Sequence, residues 1–202
     1  MCQSFEVDLR AWIRSDLDAI RHRFEHAVAG VVPRDRWTEP VPAATPAHQG
    51  SSTIAGLLLH VSYHHDLALS TATLDRAPLM EEWRDRLGLG GCRPETGLAE
   101  REDRDVVERI DLDALVDYFG AVSDLTSEWT HHMGTVALDS IAPNCRRLEQ
   151  RAGVRASEVP WFHAMWDGKT VGWLVQWEAI GHPYSHLGEM IAIRNQLGLS
   201  PF

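Results

Sequence analysis

Four long segments of the chain carry apolar residues at the three- and four-residue spacing of an amphipathic helix, and this pattern constrains the fold more than any other feature. The segments span residues 5–29, 54–75, 112–133 and 170–197. Asp111 is placed to cap the third helix, and Gly198 and Pro201 are placed to end the fourth. Because each helix must bury its apolar stripe against another, we predict an all-α fold in which about four helices form a bundle.

The stretches between these helices differ in length. A proline-rich stretch before the second helix ends at Ser51 and Ser52, whose hydroxyl groups are expected to cap that helix. Long connections follow the second and third helices, and we predict short helices at 81–87 and 144–150 and a short extended piece at 136–138. With no internal repeat and no linker rich in Gly and Ser, residues 1–202 are predicted to form a single domain.

Charge and composition exclude several classes of function. The formal net charge is −10 and no run of Lys and Arg offsets it, so a nucleic-acid partner is not expected. No apolar run approaches the roughly 20 residues that span a bilayer, and the N-terminus lacks a signal-peptide pattern, so we expect a cytoplasmic protein without a membrane partner. Cys2, Cys92 and Cys145 are odd in number and widely spaced, which disfavours a disulfide framework or a thiolate zinc site.

Polar residues interrupt the apolar stripe of the fourth helix. At about 100° per residue, one narrow face of that helix carries Val171, Val175, Glu178, His182, His186, Glu189, Ile193 and Leu197. Burying imidazoles and carboxylates without partners is costly, so this face needs a compensating group. A bound metal ion is the simplest one.

His182 and His186 stand four residues apart, a spacing that aims two imidazoles of a helix at one point. Two ligands do not hold a metal ion tightly, so a third is expected from another helix. His60 is the best candidate because it lies in the middle of the second helix, although His64 and His65 compete with it.

Pro183 lies between the two histidines of the fourth helix. Proline removes one helical hydrogen bond and clashes with the carbonyl four residues back, which here belongs to Ala179. We therefore expect a kink near Ala179, which weakens the geometric argument for the histidine pair unless a π-bulge or a loop makes the kink part of the site.

Tryptophan is abundant in this chain, with eight in total. Four of them precede the histidine pair, namely Trp161, Trp166, Trp173 and Trp177. Trp173 and Trp177 lie four residues apart and away from the histidine face. We expect them to pack in the core or on a dimer face, and the alternative is that they line a substrate pocket.

Two segments carry a resemblance to a known family. They read Ile54-Ala55-Gly56-Leu57-Leu58-Leu59-His60-Val61 and His182-Pro183-Tyr184-Ser185-His186-Leu187-Gly188-Glu189-Met190-Ile191-Ala192-Ile193-Arg194, the latter followed by Leu197-Gly198. Together they resemble the DinB-like family of metalloenzymes over essentially the whole chain. The resemblance implies a four-helix bundle that binds one divalent transition-metal ion through His60, His182 and His186. Zinc is the first expectation, with nickel, iron or manganese as alternatives, and Pro183 departs from the small or apolar residue usual at its position.

Three neutral histidines leave one coordination position open, as in catalytic sites. Glu178 and Glu189 are candidates to orient the histidines, and His64 and Arg194 are candidates to contact a substrate. By resemblance to the better-understood family members, we expect a metal-dependent S-transferase that joins a mycothiol- or bacillithiol-type thiol to a small electrophile. A non-enzymatic metal-binding stress-response protein and a metal-dependent hydrolase are the alternatives, and a homodimer is expected.

Overall fold

The computed structural model describes residues 8–42, 51–102 and 104–201, and within these ranges the chain is mostly helical. The predicted all-α class is confirmed at this level. Helix α1 spans Leu9–Phe24 and continues as a π-helix over Glu25–Ala29. Asp8 caps α1, because its carboxylate accepts the backbone N–H of Arg10. The predicted start at residue 5 lies outside the described residues.

Helix α2 spans Ile54–Asp66 and continues as a π-helix over Leu67–Thr73. Its cap is Thr53, whose Oγ1 accepts the N–H of Gly56 at 3.0 Å. The prediction that Ser51 and Ser52 cap this helix is wrong. They form strand β2 (Ser51–Ser52), which pairs antiparallel with strand β1 (Val41–Pro42), so extended backbone continues until the residue before the helix.

The described residues of the second connection include two short helices, α3 (Met80–Trp83) and α4 (Arg104–Val107). The prediction of a helix at 81–87 is therefore right in place but too long. Helix α5 spans Leu112–His132, and the predicted cap is confirmed because the Asp111 carboxylate accepts two backbone N–H groups of the first turn.

The third connection begins with a 3₁₀ helix over Thr135–Asp139, where we predicted an extended piece. That prediction is wrong, because consecutive i to i+3 hydrogen bonds, such as Ala137 N–H to the Gly134 carbonyl at 2.9 Å, close the backbone into turns. Helices α6 (Asn144–Ala152) and α7 (Pro160–Trp166) follow. The first of them confirms the short helix predicted at 144–150.

The fourth long segment is interrupted near its middle. Helix α8 covers Val171–Leu174, a π-helix covers Val175–Gly181, and helix α9 covers His182–Gln196. Pro183 lies just after the point where the π-helix changes to α-helix, within a backbone that stays helical through Gly181 and His182. The π-helix contains Ala179, so the irregularity expected there takes the form of a π segment.

Helix α2 lies at the centre of the molecule, and every residue from 54 to 66 is buried. It packs against α5 on one side and against α9 on another, while α1 contacts α5, α9 and the 175–181 segment. A helix buried on all sides normally carries apolar residues all round, so the buried His60, His64, His65 and Asp66 on α2 need partners inside the protein.

Cys92 and Cys145 are free and partly buried, and Cys2 lies outside the described residues. A search of the described helices found none with both the length and the apolar character that crossing a bilayer requires.

Candidate metal centre

Three imidazole rings from α2 and α9 meet at one point. Nε2 of His60 lies 3.0 Å from Nε2 of His182, which in turn lies 2.9 Å from Nε2 of His186. All three rings are buried. Residues four apart on a helix share a face, which explains the α9 pair, and the packing of α9 against α2 brings His60 to the same point.

The arrangement of these nitrogens suits a shared cation better than shared protons. Each Nε2 presents either one hydrogen or one lone pair in its ring plane, so Nε2 of His182 cannot form an ordinary hydrogen bond to both neighbours. Burial lowers the pKa of His60 far below its usual range, and the nearby histidines add to this; burial also lowers the pKa of His182. Converging lone pairs on uncharged imidazoles suit a divalent transition-metal ion. The residues present therefore fit such an ion.

Glu178 lies against the histidines and has no exposed surface. Its Oε2 is 3.3 Å from Nδ1 of His182 and 3.2 Å from Nδ1 of His64, and its Oε1 accepts the Nε1–H of Trp166 at 2.6 Å. Burial raises the pKa of this carboxyl, but the contacts with His64 and His182 outweigh burial and lower the pKa to about 2. The ionised carboxylate favours a proton on Nδ1 of His182, which leaves the Nε2 lone pair free for an ion.

Glu189 takes a similar place beside the third histidine. Its Oε2 is 3.3 Å from Nδ1 of His186, and this contact lowers the pKa of Glu189 while partial burial opposes the shift. Its side chain is 51% exposed, although the stripe pattern placed it on a buried face. The Nδ1 atoms of His182 and His186 are at ion-pair distance from these carboxylates without the alignment of an ordinary hydrogen bond.

The other two histidines of α2 have different surroundings. Nε2 of His65 lies 2.7 Å from the Thr126 hydroxyl on α5, and burial lowers the pKa of His65 to about 4. His64 is near enough to share an ion with His60 and His182. However, its Nδ1 faces Glu178 and its Nε2 lies 3.1 Å from the Leu98 carbonyl, so both ring nitrogens have other partners. The choice of His60 over His64 as a ligand stays a prediction.

A cavity of about 580 Å³ opens beside the three histidines. This volume lies in the range of roughly 300–1,000 Å³ that is usual for small-molecule sites. Trp161 and Trp177 line the cavity, where the Trp161 ring stacks on His64 and the Trp177 ring on His182, with centroid distances of 6.3 and 5.8 Å. The alternative interpretation of Trp177 as a pocket residue is thus the one that its position fits.

The second connection contributes residues that sequence reasoning missed. Glu100 and Arg101 line the cavity, and a carboxylate oxygen of Glu100 lies within 4.8 Å of one ring nitrogen of His60 and one of His186. This segment has no helical or strand periodicity, so nothing in the sequence indicated that it folds back over the histidines.

Arg194 lies elsewhere. Its guanidinium donates to the Ala27 carbonyl at 2.9 Å and to Oδ1 of Asn195, and it is absent from the described residues that line the cavity. Its contact with Ala27 ties α9 to the end of the first helical segment. The structure thus gives Arg194 a packing role and brings it no nearer to the histidines.

A scan against models of known protein families found no match for the chain, and a search of curated proteins found none.

Proposed function

We propose that this protein is a metal-dependent enzyme of the DinB-like family, a four-helix bundle in which His60, His182 and His186 hold one divalent transition-metal ion. The observation that supports this most is the convergence of three buried Nε2 atoms on the wall of an open cavity. Structural zinc sites are usually closed by four protein ligands, whereas catalytic sites keep a position for water or substrate. Three histidines beside a cavity match the second type.

The reaction that we propose is transfer of a small thiol, of the mycothiol or bacillithiol type, to an electrophile. Among the described residues that line the cavity there is no cysteine, and the Ser185 hydroxyl donates to the Gly181 carbonyl. This lining favours a nucleophile that comes from a cosubstrate or from solvent, and we propose the cosubstrate thiol. A divalent ion with an open position lowers the pKa of a bound thiol, which supplies that nucleophile near neutral pH.

The chain's own residues prepare the site. The carboxylate of Glu178 favours a proton on Nδ1 of His182, which keeps the opposite ring nitrogen a lone-pair donor. Leu98, Trp161 and Trp177 give the cavity apolar walls that exclude water from part of a bound substrate. The cavity volume leaves room for a thiol and an electrophile of modest size together.

The test combines metal analysis with an activity assay. Purified protein loaded with Zn²⁺, Ni²⁺ or Mn²⁺ is assayed for conjugation of monochlorobimane with mycothiol, bacillithiol or glutathione. We expect about one ion per chain and turnover that needs both metal and thiol, and both should be lost in His182→Ala and His60→Ala. His132→Ala, which removes an exposed imidazole at the end of α5, is the matched control.

Three results would contradict the proposal in different ways. A wild-type protein without bound metal would refute the metal centre. If an electrophilic ester turned over equally fast without thiol, the hydrolase alternative would replace the transferase. If the metal-loaded protein showed no turnover across the thiols and metals, a non-enzymatic metal-binding role would replace both.

A further inference from the structure

We infer that Glu100 is a fourth ligand of the ion while no substrate is bound, and that a substrate thiol would displace it from the position that the three histidines leave open. Glu100 belongs to a strap of the second connection, residues 94–102, that lies along the cavity. The inference rests on the proposed function, because it requires an ion at His60 and His186. It goes beyond the three histidines, since Glu100 comes from a segment far from either helix motif.

The position of Glu100 allows coordination without movement of the backbone. One of its carboxylate oxygens and one ring nitrogen each of His60 and His186 all lie within 4.8 Å of one another. Two atoms bound to the same ion at about 2.0–2.2 Å are at most roughly 4.4 Å apart, so a small side-chain rotation brings the oxygen within range. Glu100 is exposed, so that rotation meets little resistance.

Charge also favours this ligand. Three neutral imidazoles supply no charged ligand to offset the two positive charges of the ion, and Glu178 and Glu189 face the histidines from the side of their Nδ1 atoms. A carboxylate on the cavity side would offset one of those charges directly. Oxygen and imidazole donors together are a common set for zinc and other divalent transition metals.

The strap is held by the same helix that carries His60. The Tyr63 hydroxyl donates to the Pro94 carbonyl at 2.8 Å, and Nε2 of His64 lies 3.1 Å from the Leu98 carbonyl. Both residues of α2 are buried, so these contacts are shielded from water. The strap is therefore fixed relative to His60 on either side of its turn.

Gly97 forms the turn of the strap and packs tightly on α2. Its φ is +98°, a conformation that L-residues with side chains rarely adopt, and a Cβ added there would lie 3.2 Å from Cγ of Leu59 and 3.3 Å from Cδ1 of Tyr63. The N–H of Gly97 donates to Oε1 of Glu102 at 2.6 Å, which closes the turn. Such a close approach holds Glu100 within reach of the histidines.

Metal affinity and the spectrum of bound cobalt test the inference without an activity assay. We compare wild type, Glu100→Gln and the control Glu82→Gln, which alters an exposed glutamate of the same connection outside the cavity lining. Zn²⁺ affinity is measured by competition with a chromophoric chelator, and the visible absorption of the Co²⁺-loaded proteins reports the ligand set. Glu100→Gln should weaken Zn²⁺ binding by about tenfold or more and shift the Co²⁺ bands, while Glu82→Gln matches wild type.

A second variant tests the strap itself. Gly97→Ala places a Cβ against Leu59, so the strap should move away from α2. Zn²⁺ affinity should then fall, as it should in Glu100→Gln. If Glu100→Gln binds Zn²⁺ within twofold of wild type with the same Co²⁺ spectrum, Glu100 is not a ligand and the three-histidine proposal stands alone. If wild type binds no Zn²⁺ at all, it is the proposed function that fails.

Discussion

Replacing Glu178 with glutamine removes one charge from beside the histidines while keeping the shape of the side chain. The carboxylate now accepts from Trp166 with Oε1 and faces Nδ1 of both His64 and His182 with Oε2. A glutamine has one oxygen and one NH₂ group, so it cannot accept on both sides. In one orientation its NH₂ group meets the Nε1–H of Trp166, and in the other it meets Nδ1 of His182, which carries a hydrogen beside the carboxylate.

The two orientations have different consequences of similar size. With its oxygen toward Trp166, the amide directs N–H at Nδ1 of His182, which then favours the tautomer that has lost its Nε2 lone pair. With its oxygen toward His182, the buried Nε1–H of Trp166 loses its acceptor. An unsatisfied buried donor costs about 1–3 kcal/mol, which corresponds to roughly a fivefold to 150-fold change in an equilibrium constant.

Two measurements on the same variant separate these outcomes. Zn²⁺ affinity by chelator competition reports the first orientation, and the Tm of the metal-free protein reports the second, at about 2–4 °C per kcal/mol for a chain of this size. We expect the losses in binding and in folding free energy to sum to about 1–3 kcal/mol. Glu189→Gln is the matched control, because its half-exposed amide can turn its oxygen to His186 and its NH₂ group to solvent.

A Glu178→Gln variant that kept both the Zn²⁺ affinity and the metal-free Tm of wild type would refute this prediction. That result would mean that the buried carboxylate neither fixes the tautomer of His182 nor satisfies Trp166. A loss in Glu189→Gln as large as that in Glu178→Gln would also count against it, since burial is what should distinguish the two residues.

Three further predictions follow from buried polar groups and from the metal. Burial lowers the pKa of His65 from 6.5 to about 4 on folding, so the neutral ring contributes about 3 kcal/mol to the free energy of unfolding above about pH 6.5, and this contribution is lost as the pH falls toward 4. In guanidinium unfolding of the metal-free protein, His65→Gln should therefore make the free energy of unfolding depend less on pH between pH 7 and 5. Asp66 accepts from the backbone of Leu79 and Met80 and from the hydroxyls of Ser70 and Tyr118, so Asp66→Ala should lower the free energy of unfolding by at least about 3 kcal/mol in urea titrations, and an unchanged midpoint would contradict this. Removing metal with EDTA should lower Tm by about 5–10 °C relative to protein with free Zn²⁺ at about 100 times Kd, and identical melting curves would contradict binding to the folded state.

Local rules of helix geometry made much of the fold predictable from the sequence. The apolar spacing identified the four long helical segments, and Asp111 was predicted as a cap from its position ahead of an apolar stripe. The errors arose where local patterns are ambiguous: Ser51 and Ser52 can cap a helix as readily as Thr53, and only the pairing of β2 with β1 decided between them. The residues at 136–138 look extended, but a strand needs a neighbour to pair with.

The candidate site was likewise predictable from the sequence only in part. The four-residue spacing of His182 and His186 was enough to predict that they share a face, because a helix repeats its geometry regardless of context. An irregularity near Ala179 was also predictable from Pro183, whereas its form as a π-helix was not.

Tertiary structure alone decided which groups from elsewhere reach that face. His60, His64 and His65 lie within one turn and a half of α2, and no periodicity in the sequence says which of them faces α9. Packing set Nε2 of His60 at 3.0 Å from His182 and turned His65 toward α5. Glu100 comes from a connection without a repeating pattern, so its approach to the histidines depends on contacts between distant parts of the chain. Such contacts follow from three-dimensional packing, which local spacing rules do not encode.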